Sequence, residues 1–145
     1  MVTVLAVRHA DIDLPPRSAD PELNAAGRVR AEVVASMIGE SGIGSLFISE
    51  FIRTQQTAEP LARQLGLLPR PTPPAATLAQ SARSGELGAV VFVAGHSNTV
   101  PAILAALGAT PVPVVGEREF DNLFVLTTQP DDRAVLLNLR YGSSA

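Results

Sequence analysis

The sequence has no cysteine, no lysine and only two histidines among its 145 residues. Without cysteine there is no disulfide, no thiolate metal site and no thiol nucleophile. Two histidines are too few for a multi-histidine metal centre, so no metal and no cofactor is expected. The cations are 11 arginines. A chain-wide lack of lysine reads as codon usage, yet it leaves every cation planar and suited to two-pronged binding of an oxyanion. Neither sign of charge dominates. A net charge of -3 and an isoelectric point of about 5.3 lack the broad basic surface of a nucleic-acid binder.

Long apolar runs are also missing. The first one, residues 2–7, has no basic leader and is cut short by Arg8-His9. It is therefore neither a signal peptide nor a membrane span, and a cytoplasmic location with no membrane partner is expected. With 46% hydrophobic and 17% charged residues the composition is globular. The length suits one domain over residues 1–145.

Residues 2–7 are short and β-branched, so they read as a buried strand. DIDLPPRSADPE follows as a loop. Asn24 then looks like the N-cap of a helix with Val29, Val33, Val34, Met37 and Ile38 on its apolar face, ended by Gly39 or Gly42. Residues 43–49 predict a second strand and residues 51–65 a second helix, in which Pro60 is a kink or a restart. LLPRPTPPA is a proline-rich connector, and residues 77–87 predict a short helix. Residues 89–94 (AVVFVA) are apolar on both faces, the mark of a central strand. GHSN leads into a helix over residues 100–107, with Pro101 in its first turn, where proline is tolerated. Residues 122–128 and 134–141 read as a hairpin around a QPDD turn, and FDNLFVLTT is an edge available for pairing. Strands alternating with helices predict an α/β sheet with an antiparallel pair at or near one edge.

The chemistry-bearing residues gather where three strands end. The first ends in Arg8-His9. The second ends in Ser49, with Arg53 just inside the next helix. The third ends in Gly95-His96-Ser97-Asn98. Ligands of open α/β sheets bind at such carboxyl ends. If the three strands are parallel neighbours, two guanidinium groups and two imidazoles meet in one cleft, with helix N-termini adding N–H donors. Singly, each piece reads as a strand rim, a solvated helix residue or a turn. Together they suit a compact anion: arginine forks for phosphate oxygens, one unprotonated imidazole as nucleophile and a second to stabilise transition-state charge.

At this point the sequence resembles the histidine phosphatase superfamily, in its phosphoglycerate mutase-like branch. Arg8-His9-Ala10 resembles the family's RHG signature. PELNAAGRVRAEVVA resembles its "L-T/S-x-x-G-x-x-x-A" helix start. SEFIRTQQTAEPLA resembles "S-D-x-x-R-T/A-x-Q-T-A-E-x-L", and VVFVAGHSNTVPAIL its late "V-x-G-H" block. The blocks stand in the family's order over residues 2–107. The resemblance implies a three-layer α/β/α sandwich with a mostly parallel central sheet, and a metal-independent phosphatase. It implies His9 as a nucleophile phosphorylated on a ring nitrogen, Arg8 and Arg53 as binders of the phosphoryl oxygens, and His96 as the group that completes the pocket.

The departures shape the remaining expectations. Ala10 replaces the commoner glycine. Ser97 and Asn98 follow Gly-His, where Asn98 either caps the next helix or reaches the phosphate with Ser97. Family members often carry a proton donor between the second helix and the Gly-His strand. Here that segment, residues 66–88, holds one carboxylate, Glu86, at the wrong end of the strand. Asp11 is the expected acid, with Asp13 and Glu50 as alternatives. The short connector implies an open cleft that admits a phosphorylated small molecule or a phosphoprotein. Mutase activity, which needs a closed site, is disfavoured. The rival reading is a non-catalytic phosphate- or phosphoprotein-binding module on the same fold. The oligomeric state is left open.

Overall fold

The computed structural model describes residues 1–131 and 133–143. Its elements are β1 (Thr3–Arg8), α1 (Ala25–Ile38), β2 (Ile43–Ile48), α2 (Ile52–Leu65), β3 (Arg70–Pro71), α3 (Ala75–Arg83), β4 (Val90–Gly95), α4 (Thr99–Ala106), β5 (Asn122–Thr128) and β6 (Ala134–Arg140). The alternation of side chains along β1 sets the layers. Val4 and Ala6 face Leu78 and Ala82 of α3 and Ile103 and Leu104 of α4. Leu5 and Val7 face Val34 and Ile38 of α1 and Ala58 and Leu61 of α2. The result is an α/β/α sandwich around one six-stranded sheet of order β3-β2-β4-β1-β5-β6.

The sheet is parallel from β3 through β1, and only β5 runs against the other strands. The uninterrupted apolar run of β4 is explained by its place between β1 and β2, covered on both faces. Register pairs Arg8 with Gly95 and Phe47 with Val93. The carboxyl ends of β1, β2 and β4 therefore finish side by side. Residues 9–24 leave β1 at that end, and residues 107–121 lead into β5 there.

The helix N-cap at Asn24 is present: its side chain accepts the Gly27 N–H at 2.9 Å. Other expectations are corrected. The buried side of α1 is Gly27, Arg30, Ala31, Val34, Ala35 and Ile38, whereas Val29 and Met37 are 64% and 50% exposed. The cause is an ion pair beneath the helix, described below, which draws Arg30 inward. Asn98 stands at the N-cap of α4 but makes no side-chain cap bond. The Thr99 hydroxyl instead accepts the His96 N–H at 2.9 Å. Pro60 lies inside a single α2. The proline-rich connector holds a two-residue edge strand, and β5 is interior because β6 covers its far side. Asp132, in the expected QPDD turn, lies outside the described residues.

Candidate active site

His9 stands one residue beyond β1, and its backbone is fixed from both sides. Its N–H donates to the Gly95 carbonyl at 2.7 Å. The next N–H, of Ala10, donates to the Thr57 hydroxyl at 2.8 Å. The ring is fixed as well: Nδ1 lies 2.8 Å from the carbonyl oxygen of Ala10. A carbonyl only accepts, so Nδ1 carries the proton and Nε2 keeps a free lone pair. Burial is the main force that pushes the His9 pKa from 6.5 down to about 3. The Ala10 carbonyl opposes it, and Arg8, His96 and Arg53 add to it. The imidazole is therefore neutral at ordinary pH.

Arg8 and Arg53 frame this ring. Arg8 Nη1 donates to the carbonyls of Gly116, Glu117 and Glu119 at 3.1, 2.7 and 3.0 Å, and its guanidinium carbon lies 4.2 Å from the centre of the Phe120 ring. One end of Arg8 thus pins the loop that leads into β5. Its Nε has no acceptor among the described residues. Arg53 lies in the first turn of α2, its guanidinium carbon 4.5 Å from the centre of the Phe51 ring. Its Nη1 is 3.8 Å from Asp20, too long for a hydrogen bond, and both Nε and Nη1 are buried without an acceptor. Buried polar groups normally find partners. Arg8 and Arg53, with three guanidinium nitrogens lacking an acceptor between them, line the same cleft as His9, and their charge suits an oxyanion.

His96 follows β4 and meets His9 edge-on, ring centres 5.4 Å apart. Its Nε2 lies 2.9 Å from the Ser49 hydroxyl, and Phe51 packs on it at 5.4 Å. Burial lowers the His96 pKa first, with Arg53 and Arg8 adding to it and Glu50 opposing. Arg8, His9, Arg53, His96, Ser97 and Asn98 all line one cleft of about 810 Å³.

Asp11 is not brought to that cleft. It turns beneath α1, where Arg30 Nε donates to Oδ1 at 2.6 Å and Nη2 to Oδ2 at 3.4 Å. The same guanidinium donates to the carbonyls of Tyr141 and Ser143. Asp11 lines a separate depression with Arg30 and Arg140. The expectation of Asp11 as proton donor is thus corrected: its oxygens are engaged by a buried arginine. Asp13 pairs with Arg17 at 3.0 Å, outside the cleft. Among the carboxylates, Glu50 and Glu117 line the cleft.

The structure gives physical reasons for the polar residues of SEFIRTQQTAEPLA. Thr54 accepts the Ser49 N–H at 3.0 Å. Gln56 accepts the Leu23 N–H at 2.8 Å. Thr57 accepts the Ala10 N–H and donates to the Arg53 carbonyl at 2.7 Å. One face of α2 therefore satisfies loop backbone donors while it presents Arg53. Sequence reasoning missed Thr57, the pairing of Ser49 with His96, and Asp20, whose carboxylate accepts the Ile52 N–H at 3.0 Å and caps α2. It also missed Glu117 and Phe120. The motif carried a signal for Thr57 and Ser49. The loop residues lie in stretches without periodicity and carried none.

Among the described residues no cluster of three or more histidine, aspartate or glutamate side chains is placed to hold a metal ion, and no helix is long and apolar enough to cross a membrane.

Residues 4–74 match the model of the histidine phosphatase superfamily (branch 1). The fold is similar to that of the protein histidine phosphatase SixA, solved with tungstate: TM-score 0.78, 20% identity, 96% of this chain and 97% of the other. It is similar to a mycobacterial glucosyl-3-phosphoglycerate phosphatase, with TM-score 0.77, 16% identity and 97% and 99% coverage. It also resembles the alpha-ribazole phosphatase of Shigella flexneri, with TM-score 0.76, 12% identity and 96% of each chain covered. These likenesses show the phosphoglycerate mutase-like α/β fold. A PE-PGRS family protein, PE_PGRS11 of Mycobacterium tuberculosis, is 43% identical over 54 residues, which span 37% of this chain and 9% of that protein.

Proposed function

The chain belongs to the histidine phosphatase superfamily, and we propose that it acts as a phosphatase that forms a covalent phosphohistidine at His9. The observation that supports this reading is the Nδ1–H of His9 held on the Ala10 carbonyl, which leaves the Nε2 lone pair free on a residue that lines one cleft with Arg8 and Arg53.

In the proposed reaction, Nε2 attacks phosphorus and an N–P bond forms as the bond to the leaving group breaks. The leaving group departs with the bonding pair and takes up a proton. Arg8 Nε and Arg53 hold the phosphoryl oxygens as charge spreads over them. His96 acts as a neutral donor: if the Ser49 hydroxyl donates to its Nε2, then Nδ1 carries the proton. Ser97 and Asn98 shape the wall of the pocket. Water then attacks phosphorus, the N–P bond breaks, and inorganic phosphate leaves with His9 restored. The cations this chemistry needs are supplied by arginine, so no metal has a role in the scheme. With Asp11 held by Arg30, the scheme best suits leaving groups that depart readily, such as activated esters or a phosphorylated imidazole on a protein.

The test is hydrolysis of 4-nitrophenyl phosphate in chelator by the wild type, His9→Ala and Arg53→Ala. The reading expects chelator-resistant turnover that His9→Ala abolishes and Arg53→Ala weakens in both kcat and KM. Turnover that survives His9→Ala would refute it. A wild type that binds phosphate without turnover would favour the binding module.

A further inference from the structure

The cleft is much larger than a phosphoryl group, and its charged residues divide by sign. The phosphate end holds both arginines and both histidines. The rest of the lining mixes apolar Ile12, Leu14, Pro69 and Pro71 with polar Gln55 and Thr72, and its only charged side chains are Glu50 and Glu117. Neither glutamate is neutralised by an ion pair among the described residues. Glu117 is the strongest charged neighbour of Arg8, and Glu50 is the carboxylate that acts on His96.

We infer that the leaving-group half of this cleft accepts an uncharged or cationic, largely apolar group and rejects one that carries a second anion. The inference rests on the phosphatase reading above and deepens it. A bound phosphate already engages both arginines of the lining, and one nitrogen of Arg8 is committed to three loop carbonyls. A carboxylate or second phosphate on the leaving group then meets no cation. It meets instead the carboxylates of Glu50 and Glu117, both solvent-exposed residues of the lining, whose repulsion is of the modest size water allows. An aryl or alkyl group loses nothing there and buries apolar surface against Leu14, Phe51 and Pro71. An ammonium gains from the glutamates. Substrate choice by such a site is a difference of interactions, part attraction and part repulsion.

The experiment uses three activated aryl phosphates with similar nitrophenol leaving groups: 4-methyl-2-nitrophenyl, 4-(aminomethyl)-2-nitrophenyl and 4-(carboxymethyl)-2-nitrophenyl phosphate. The expected result is a kcat/KM severalfold lower for the carboxylate than for the other two. The Glu50→Gln/Glu117→Gln double variant should narrow that ratio severalfold, and Leu14→Ala should lower kcat/KM for the methyl compound. Equal or better hydrolysis of the carboxylate, still dependent on His9, overturns this inference and leaves the phosphatase reading standing. Absence of His9-dependent hydrolysis for all three overturns both.

Discussion

The backbone N–H of Ala10 and the hydroxyl of Thr57 lie 2.8 Å apart, and this one bond ties the residue after His9 to α2. The hydroxyl also donates to the Arg53 carbonyl, so a single side chain links the two residues proposed to attack and to hold the phosphoryl group. Thr57→Val keeps the shape and leaves the Ala10 N–H buried without an acceptor. It should cost about 1–3 kcal/mol in urea denaturation and lower kcat, and Thr57→Ser should restore much of both. A valine variant with wild-type stability and rate would show that the bond does not position His9.

Asp11 should behave as a structural residue. Its partner Arg30 is 5% exposed, so Asp11→Ala leaves a buried guanidinium short of its counter-charge, at a cost of about 3–5 kcal/mol. Whatever activity remains should fall equally for good and poor leaving groups. A selective loss on poor leaving groups would restore Asp11 as the proton donor.

The pH dependence follows from His9. Its pKa in the folded chain is about 3, against 6.5 for a free imidazole. As kcat/KM reports the free enzyme, its acid limb from His9 should lie below pH 5 once the ionisation of the substrate phosphate is allowed for. A limb near 6.5 that survives this correction would contradict the burial argument. Stability follows the same sign. Between pH 6.5 and 3 the unfolded chain binds more protons at this position than the folded chain, so stability is complete above 6.5 and falls as pH drops through that window. His96, also shifted downward, acts in the same direction. His9→Asn should therefore lose less thermal stability than the wild type between pH 7 and 5.

Gly27 is fixed by contact rather than by backbone angle. A Cβ there would lie 2.3 Å from the Asp11 carbonyl oxygen and 2.9 Å from its nitrogen, both backbone atoms of the loop that follows His9. Alanine favours a helix over glycine by about 1 kcal/mol, yet Gly27→Ala should destabilise by about 1–3 kcal/mol because α1 must move off the loop. Chemical denaturation decides the sign. A more stable variant would mean that the helix shifts freely.

The readable parts of this protein are those set by local pattern. β4 was legible from its apolar run, and the convergence of Arg8, His9, Arg53 and His96 from their places at strand ends. The buried face of α1 was misread because apolar types were counted, while the chain buries Arg30 against Asp11, a partner 19 residues away. That same distant pairing hid the true place of Asp11. Glu117 and Phe120 reach the site through a loop whose position depends on three carbonyls donated to by Arg8, a long-range arrangement with no local signature. β3 is two residues long and contains a proline, so it gave no strand signal of its own.

The central claim is the covalent intermediate, and the most direct measurement is to trap it. The protein would be mixed with 4-nitrophenyl phosphate, quenched in alkali within milliseconds, digested and analysed by mass spectrometry. The account predicts an alkali-stable, acid-labile phosphoryl group on the peptide carrying His9, attached at Nε2, formed in a burst and absent from His9→Ala. Turnover in the wild type with no phosphopeptide at any quench time, or with the phosphoryl group on His96, would contradict it.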